Sequence, residues 1–295
     1  MAGEKSIVDQ TCRKCGICLE VCPDRIFVQD QKGAIVLDAG KTHLCNKCGH
    51  CMAVCPTQSI KIAGLAYDQD FFALPAPQTE AEAFYNVLAT RRSTRVFQNK
   101  PVPNDLLEKI TEAVAMAPMG FPPHKTEITV VQNRAVLDEA LKYTAKSYQE
   151  MLQGMENPLI RSIIRLSVNR EIFNTMKNQV MPIMKMSLPR MEKSGEDVIL
   201  RGAPAMLVFH ADKAAENHTH DALIGLTYGL LAAHALGLGA TAIGLVPPVI
   251  QRSKILRNLF QIPEENEVLA AMVVGYPKYQ FQRGIRRALR KVTWI

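Results

Sequence analysis

All eight cysteines of this 295-residue chain fall into two copies of one pattern. The first copy is Cys12, Cys15, Cys18 and Cys22 followed by Pro23, and the second is Cys45, Cys48, Cys51 and Cys55 followed by Pro56. Three thiolates spaced two residues apart wrap one corner of an iron–sulfur cube, while the fourth reaches across to the other cube. The spacing therefore predicts two 4Fe–4S clusters, one on Cys12, Cys15, Cys18 and Cys55 and the other on Cys45, Cys48, Cys51 and Cys22. The prolines turn the chain away from each cluster, and Gly16 and Gly49 leave room for backbone amides near the sulfurs. Structural zinc takes its ligands in pairs and fits a third close cysteine poorly. Disulfides need an oxidising compartment. The stretch before Cys12, MAGEKSIVDQT, contains no apolar run of signal-peptide type. A cytoplasmic protein with a low-potential, oxygen-sensitive relay, at home in an anaerobic cell, is the expectation.

A relay of single electrons calls for a partner that takes electrons singly and delivers them in pairs, which flavin does. The segment Arg91-Arg92-Ser93-Thr94-Arg95 offers three guanidiniums and two hydroxyls within five residues. That set suits a phosphate, a ribityl chain and the polar edge of a flavin ring. Gly237-Leu-Gly239-Ala-Thr-Ala242 formally matches the dinucleotide fingerprint. It follows a helical pattern and precedes an extended one, the reverse of what the fingerprint needs, so a built-in NAD domain is not expected.

The elements that must position these groups divide the chain. Residues 1–66 read as a two-cluster ferredoxin-like domain, with a hairpin from Ile26 to Asp38 and a strand from Ser59. Residues 67–80, with Pro75 and Pro77, read as a linker. Residues 81–295 read as an α+β domain in which helices flank a sheet. Helices are expected over 82–90, 104–116 with Asn104 as N-cap, 134–152, 218–236 and 250–259, and strands over 127–131, 204–210 and 268–274. Residues 151–191 hold seven of the thirteen methionines and read as a helical excursion, a lid over a pocket or a dimer element.

Composition narrows the function classes. With 47% hydrophobic and 21% charged residues the chain is an ordinary globular protein. Its net charge of +7 is spread along the chain, without the basic, aromatic-interleaved clusters of a nucleic-acid binder. About −2 for each oxidised cluster and about −2 for a flavin phosphate would bring the loaded protein to about +1. No charged residue occurs from Ala222 to Gln251. Three glycines and Pro247-Pro248 break that stretch, so it reads as a buried helix, a turn and a short extended piece, with no membrane span.

Residues 1–66 resemble bacterial two-cluster ferredoxins. Residues from about 82 to the end resemble the nitroreductase family of FMN proteins, whose antiparallel-rich central sheet is flanked by helices. The resemblance rests on four motifs in the family's order: 91–95; Ala117-Pro118-Met119-Gly120-Phe121-Pro122; Gly237 to Gly244; and Gly275-Tyr-Pro-Lys with the tail Arg283, Arg286 and Arg287. It implies FMN contacts from Arg91, Arg92, Ser93, Arg95, Met119, Gly120 and Pro122. Ala242, Ile243 and Gly244 would face the reactive edge of the ring, and Arg283, Arg286 and Arg287 the phosphate. It also implies a homodimer. Pro122 stands where the family has an asparagine, and a proline has no N–H to offer. His124 is the candidate proton donor, and no side chain is required for covalent catalysis.

The resulting expectation is an FMN-dependent oxidoreductase that takes single electrons from a low-potential donor, such as reduced ferredoxin, through two clusters. FMN would then reduce a nitro compound, quinone or activated alkene. The alternatives are an electron-transfer protein without small-molecule turnover, reverse flow from NAD(P)H through FMN to the clusters, and a scaffold that has lost FMN.

Overall fold

The computed structural model describes residues 7–45, 47–73, 81–120, 124–285 and 288–295. The chain divides into two compact units, Met1–Thr79 with Met119–His124, and Glu80–Pro118 with Lys125–Ile295.

In the first unit, β1 (Ile7–Val8) is followed by α1 (Ile17–Val21), β2 (Phe27–Gln29), β3 (Ile35–Leu37), α2 (His50–Ala53), β4 (Ile60–Lys61) and α3 (Tyr67–Asp70). β1 pairs antiparallel with β4, and β2 with β3. The expected hairpin forms because the Asp30 carboxylate accepts from the amides of Lys32 and Ala34, with Gly33 turning at φ 74°. The sequence repeat is also a backbone repeat. Left-handed residues recur 33 positions apart, Lys14 with Lys47, Gly16 with Gly49 and Arg25 with Gln58. Lysine and arginine enter the left-handed region only when their surroundings compel it, and here the same loop is compelled twice. The core is small: Ile26, Phe27, Ile35, Met52, Ile60 and Ile62 pack with Cys18 and Cys51.

The expected linker 67–80 needs correction at its start. Tyr67 and Phe71 pack on the core, and the Tyr67 hydroxyl donates to the Met52 carbonyl at 3.3 Å. Two aromatic rings gain more by covering apolar surface than by lying in solvent. Residues 74–80 lie outside the described residues.

The second unit contains α4 (Ala81–Thr90), α5 (Asn104–Ala115), β5 (Thr126–Val131), α6 (Arg134–Glu156), α7 (Pro158–Ser167), α8 (Arg170–Thr175), α9 (Met181–Ser194), β6 (Ala205–Asp212), α10 (His218–Ala235), β7 (Gly239–Ala242), α11 (Pro247–Arg252), α12 (Lys254–Leu259) and β8 (Asn266–Gly275). Its sheet has the order β5-β6-β8-β7, every pair antiparallel. β6 is buried on both faces, which explains its unbroken apolar run. Side chains alternate across it. Met206 and Val208 join the core with Leu137, Met184, Ile250 and Phe260. Leu207 and Phe209 join the opposite core with Ile110, Val114 and Leu226. The uncharged stretch is α10, one helix of this second core, followed by β7. Among the described residues no helix is long and apolar enough to cross a membrane.

Three local expectations are corrected. Asn104 is the first helical residue of α5, and Pro103 is its N-cap, because the fixed φ of −60° sets the entry. The helix expected over 250–259 is two helices parted at Ser253, whose extended backbone and Oγ, accepting from the Leu256 amide at 3.2 Å, start α12. α6 runs on to Glu156, past Leu152, and Asn157 then starts α7 by accepting from the amides of Leu159 and Ile160.

Candidate functional site

Two hollows in the first unit collect the cysteines. Cys12, Cys15, Cys18 and Cys55 line one, and Cys22, Cys45, Cys48 and Cys51 line the other. Each ring thus draws its fourth thiol from the other copy of the motif, as the spacing predicts. The Lys14 amide donates to the Cys12 sulfur at 3.4 Å, and the Ser59 amide to that of Cys55 at 3.3 Å. Burial pushes the Cys18 thiol up, and the neighbouring sulfurs of Cys12, Cys15 and Cys55 push the same way. Burial likewise takes Cys51 up to about 12, with Cys48, Cys22 and Cys45 adding to it. Burial also pushes Cys55 up, but hydrogen bonds from the amides of Thr57 and Ser59 outweigh it and leave that thiol below its ordinary value.

Rings of crowded, partly buried sulfurs hold charge only against a cation. Among the described residues no three His, Cys, Asp or Glu side chains converge as on a single metal ion. Four thiols around each hollow are the donor set that a 4Fe–4S cluster takes.

The arginine segment lies in the second unit, where two glycines admit it. Ser93 bridges Ala240 of β7, and the Thr94 amide donates to the Ala240 carbonyl at 3.1 Å. Phe97 bridges Pro277 just beyond β8. A Cβ on Gly239 would stand 2.6 Å from Thr94 Cγ2, and one on Gly275 would stand 2.6 Å from Pro204 Cδ and 2.9 Å from Phe97 Cδ1. The Gly-Leu-Gly and Gly-Tyr-Pro motifs thus have a steric cause: they let an extended segment of arginines lie along the sheet edge.

Arg92 donates through Nη1 to the carbonyls of Ala89 and Arg91, both at 2.7 Å, while its buried Nε has no hydrogen-bond partner among the described residues. Arg95 donates to the Ser93 carbonyl at 3.3 Å. His234, at the end of α10, is held below its ordinary pKa by burial and by Arg91 and Arg92. The Thr90 hydroxyl donates to the Asn86 carbonyl, so the imidazole Nε2–H donates to Thr90 at 2.8 Å and Nδ1 remains an acceptor. Arg201 is likewise lowered by burial and then by Arg95. Asp197 accepts from the amides of Ile199, Leu200 and Gly202, and Arg201 in that loop takes φ 64°.

Arg92 and His234 line a cavity of about 290 Å³ together with Thr90, Thr94, Gly239 and Tyr279 among others. A spare buried guanidinium N–H beside a neutral imidazole and further arginines fits an anionic cofactor group such as a phosphate. Ala242, Ile243 and Gly244 border a second cavity of about 460 Å³ with Leu226, Pro247 and Glu267.

The structure gathers Arg91, Arg92, Ser93 and Arg95 at one sheet edge, with Ala242, Ile243 and Gly244 at the end of the adjoining strand. Arg283 is exposed in the tail, where a Cβ on the next residue, Gly284, would stand 3.3 Å from Arg92 Nη2. Met119, Gly120 and the half-buried His124 are grouped with the first unit. Pro122, Arg286 and Arg287 lie outside the described residues. Sequence reasoning missed His234 and Arg201. Neither stands in a motif, although His234 is the one basic side chain in an otherwise uncharged helix end and invited a question.

Comparison with known proteins bears on the two halves of the chain in turn. The model of the nitroreductase family matches residues 88–276, and that of a 4Fe–4S dicluster domain matches residues 11–60. A relative from Methanothermobacter thermautotrophicus, provisionally named NADH dehydrogenase/NAD(P)H nitroreductase, is 25% identical over 194 residues, 64% of this chain and 75% of its own. The crystal structure of a nitroreductase with bound FMN from Desulfitobacterium hafniense superposes with a TM-score of 0.55 at 22% identity, covering 74% of this chain and 100% of that one. A nitroreductase with bound FMN from Bacteroides fragilis gives 0.54 at 18%, with the same coverage.

Proposed function

This chain belongs to the nitroreductase family, and we propose that it is an iron–sulfur flavoprotein oxidoreductase with two 4Fe–4S clusters, one FMN and a small electrophilic acceptor: a nitro compound, quinone or activated alkene. When bound, the clusters supply a one-electron relay and FMN turns single electrons into a delivered pair. The observation that carries this reading is the presence, in one chain, of two complete cysteine rings and a cavity lined by Arg92, whose buried Nε has no partner among the described residues.

The chain's own residues have physical tasks. The eight cysteines hold iron, and Arg91, Arg92 and Arg95 neutralise and orient an anionic cofactor. Ser93 and Thr94 fix that segment to β7, and His234 is kept neutral as a hydrogen-bonding partner. Arg283 adds charge from the tail. Ala242, Ile243 and Gly244 shape the wall at which an acceptor would stand, with protons drawn from solvent. NAD(P)H as an alternative donor is favoured by the name of the Methanothermobacter relative; rapid anaerobic bleaching of the flavin by NADH would support it.

The test is an anaerobic count on fresh protein, with about eight irons and one FMN expected per chain. Arg92→Ala should keep its iron and lose most of its flavin. Eight irons without flavin, after reconstitution with FMN, would overturn the reductase reading.

A further inference from the structure

The two cysteine motifs are near copies, yet the residues beside their fourth cysteines are not. Thr57 and Ser59 follow Cys55, and β1 brings Thr11 and Asp9 alongside them. Around Cys22 the positions that match Thr57, Ser59 and Thr11 hold Asp24, Ile26 and Leu44, none of which carries a hydroxyl. A row of three hydroxyls thus exists in one copy only.

The backbone holds that row in place, with the Asp9 amide donating to the Ser59 carbonyl at 2.9 Å and Lys61 standing 3.9 Å from the Asp9 carboxylate. The Thr11 amide donates to Asp9 Oδ1 at 2.9 Å, and the Thr11 hydroxyl donates to the same oxygen. Thr11 Oγ1 lies 2.8 Å from Ser59 Oγ, and Ser59 Oγ lies 2.6 Å from Thr57 Oγ1. Thr57 Oγ1 in turn lies 3.7 Å from the Cys55 sulfur. An ionised carboxylate only accepts, so it fixes the direction of every proton behind it. Thr11 gives its proton to Asp9 and accepts from Ser59. The buried Ser59 gives its one hydroxyl proton to Thr11 and accepts from Thr57. Thr57 has an oxygen and a sulfur in reach and one proton to give, and the oxygen is the nearer. Cys55 therefore keeps the Ser59 amide as a donor at 3.3 Å and goes without the hydroxyl.

We propose that Asp9, Thr11, Ser59 and Thr57 form a hydrogen-bonded row that sets the reduction potential of the cluster on Cys12, Cys15, Cys18 and Cys55, by keeping the Thr57 proton off the Cys55 sulfur. The proposal rests on the two-cluster reading above. A hydrogen bond to a cluster sulfur favours the reduced, more negative state and so raises the potential. Withholding one keeps this cluster the stronger reductant. Reduction adds one electron to the cluster, while each hydroxyl keeps its own proton and changes at most its direction. Asp9, Thr11 and Ser59 are positioning residues, acting on the cluster through Thr57.

The test is an anaerobic redox titration of the full chain with dithionite, followed by electron paramagnetic resonance, which reads the midpoint of each cluster. Ser59→Ala removes the oxygen that holds the Thr57 proton and leaves the backbone amide and every formal charge in place. One midpoint should rise by at least about threefold in its reduction equilibrium, about 28 mV for one electron, and the other should hold. Adding Thr57→Val should cancel at least half of that rise, because valine has no proton to give. A rise caused by loosened packing or entering water would survive the addition. Asp9→Ala, at the outer end of the row, releases the Thr11 proton and should raise the same midpoint, again with at least half of the rise lost on adding Thr57→Val. Where Ser59→Ala assembles no cluster, this outer pair decides. Midpoints that stay or fall, or rises that persist with Thr57→Val, would overturn the proposal. Iron content separates the two readings. Fewer than about eight irons per unaltered chain sinks the two-cluster reading and this proposal with it, whereas full iron with unmoved midpoints sinks the hydroxyl row alone.

Discussion

Thr94 is buried against Gly239 and tied by its amide to Ala240, so it cannot recoil from a side chain placed opposite. Gly239→Ala should therefore cost about 1–3 kcal/mol, as overpacking does. It should also loosen the arginine segment, so flavin is lost together with stability; urea unfolding and flavin content would check both.

A second prediction belongs to His210, buried on β6. Its Nδ1 faces the Asn266 amide at 2.8 Å and its Nε2 the Thr129 hydroxyl at 3.1 Å, with the Glu127 carboxylate 3.9 Å away. Thr129 donates onward to the Phe260 carbonyl, so Nε2–H is the donor and the neutral ring is the form that fits. Burial lowers its pKa below 6.5, Glu127 opposing and Arg257 assisting. Because the unfolded chain takes up the proton first, stability is fully present above about pH 6.5 and falls as pH drops from there toward the folded pKa. His234, lowered in the same direction, adds to the effect. Denaturant midpoints measured from pH 8 to 5 should fall, and His210→Gln should flatten that slope even if its plateau is lower.

Among the elements, the split between α11 and α12 has the clearest consequence. Ser253 caps α12, and just before it Gln251 accepts from both the Val268 amide at 2.8 Å and Arg257 Nη1 at 3.1 Å, joining the helix pair to β8. Ser253→Ala should destabilise by about 1 kcal/mol, seen as a lower denaturant midpoint at unchanged slope. The cap was hard to read beforehand because the apolar spacing runs through it without a break. A serine inside an apolar period signals a cap only once the backbone turns there. By contrast β6 and β8 were legible, since strands buried on both faces carry continuous apolar runs. The hairpin at Asp30 to Gly33 was legible from its turn residues.

At the scale of the molecule, apolar side chains remain exposed on two helices that touch. Phe84, Tyr85 and Leu88 on α4 are 50%, 67% and 42% exposed, and Leu223, Ile224 and Tyr228 on α10 are 46%, 37% and 37% exposed. Trp294 in the tail is 92% exposed. Apolar surface of this extent on paired helices calls for cover, and a second copy of the chain is the expected cover. Sedimentation should give twice the chain mass. Leu223→Glu/Ile224→Glu should shift it toward the monomer, and a monomer for the unaltered protein would refute the expectation.

Sequence by itself determined the cysteine rings, the cationic segment and the change of texture between the two halves. Each of these is written in short spacings: a loop of three residues between thiols constrains its own geometry, and an apolar period reports its own face. Tertiary structure alone decided that Gly49 is covered, because Phe71 reaches it from 22 residues further along the chain. It also decided that His234 stands beside Arg91 and Arg92, and that Gly239 is needed by Thr94. Contacts between residues far apart in the chain depend on how separate elements pack, and no local pattern of residues encodes that distance.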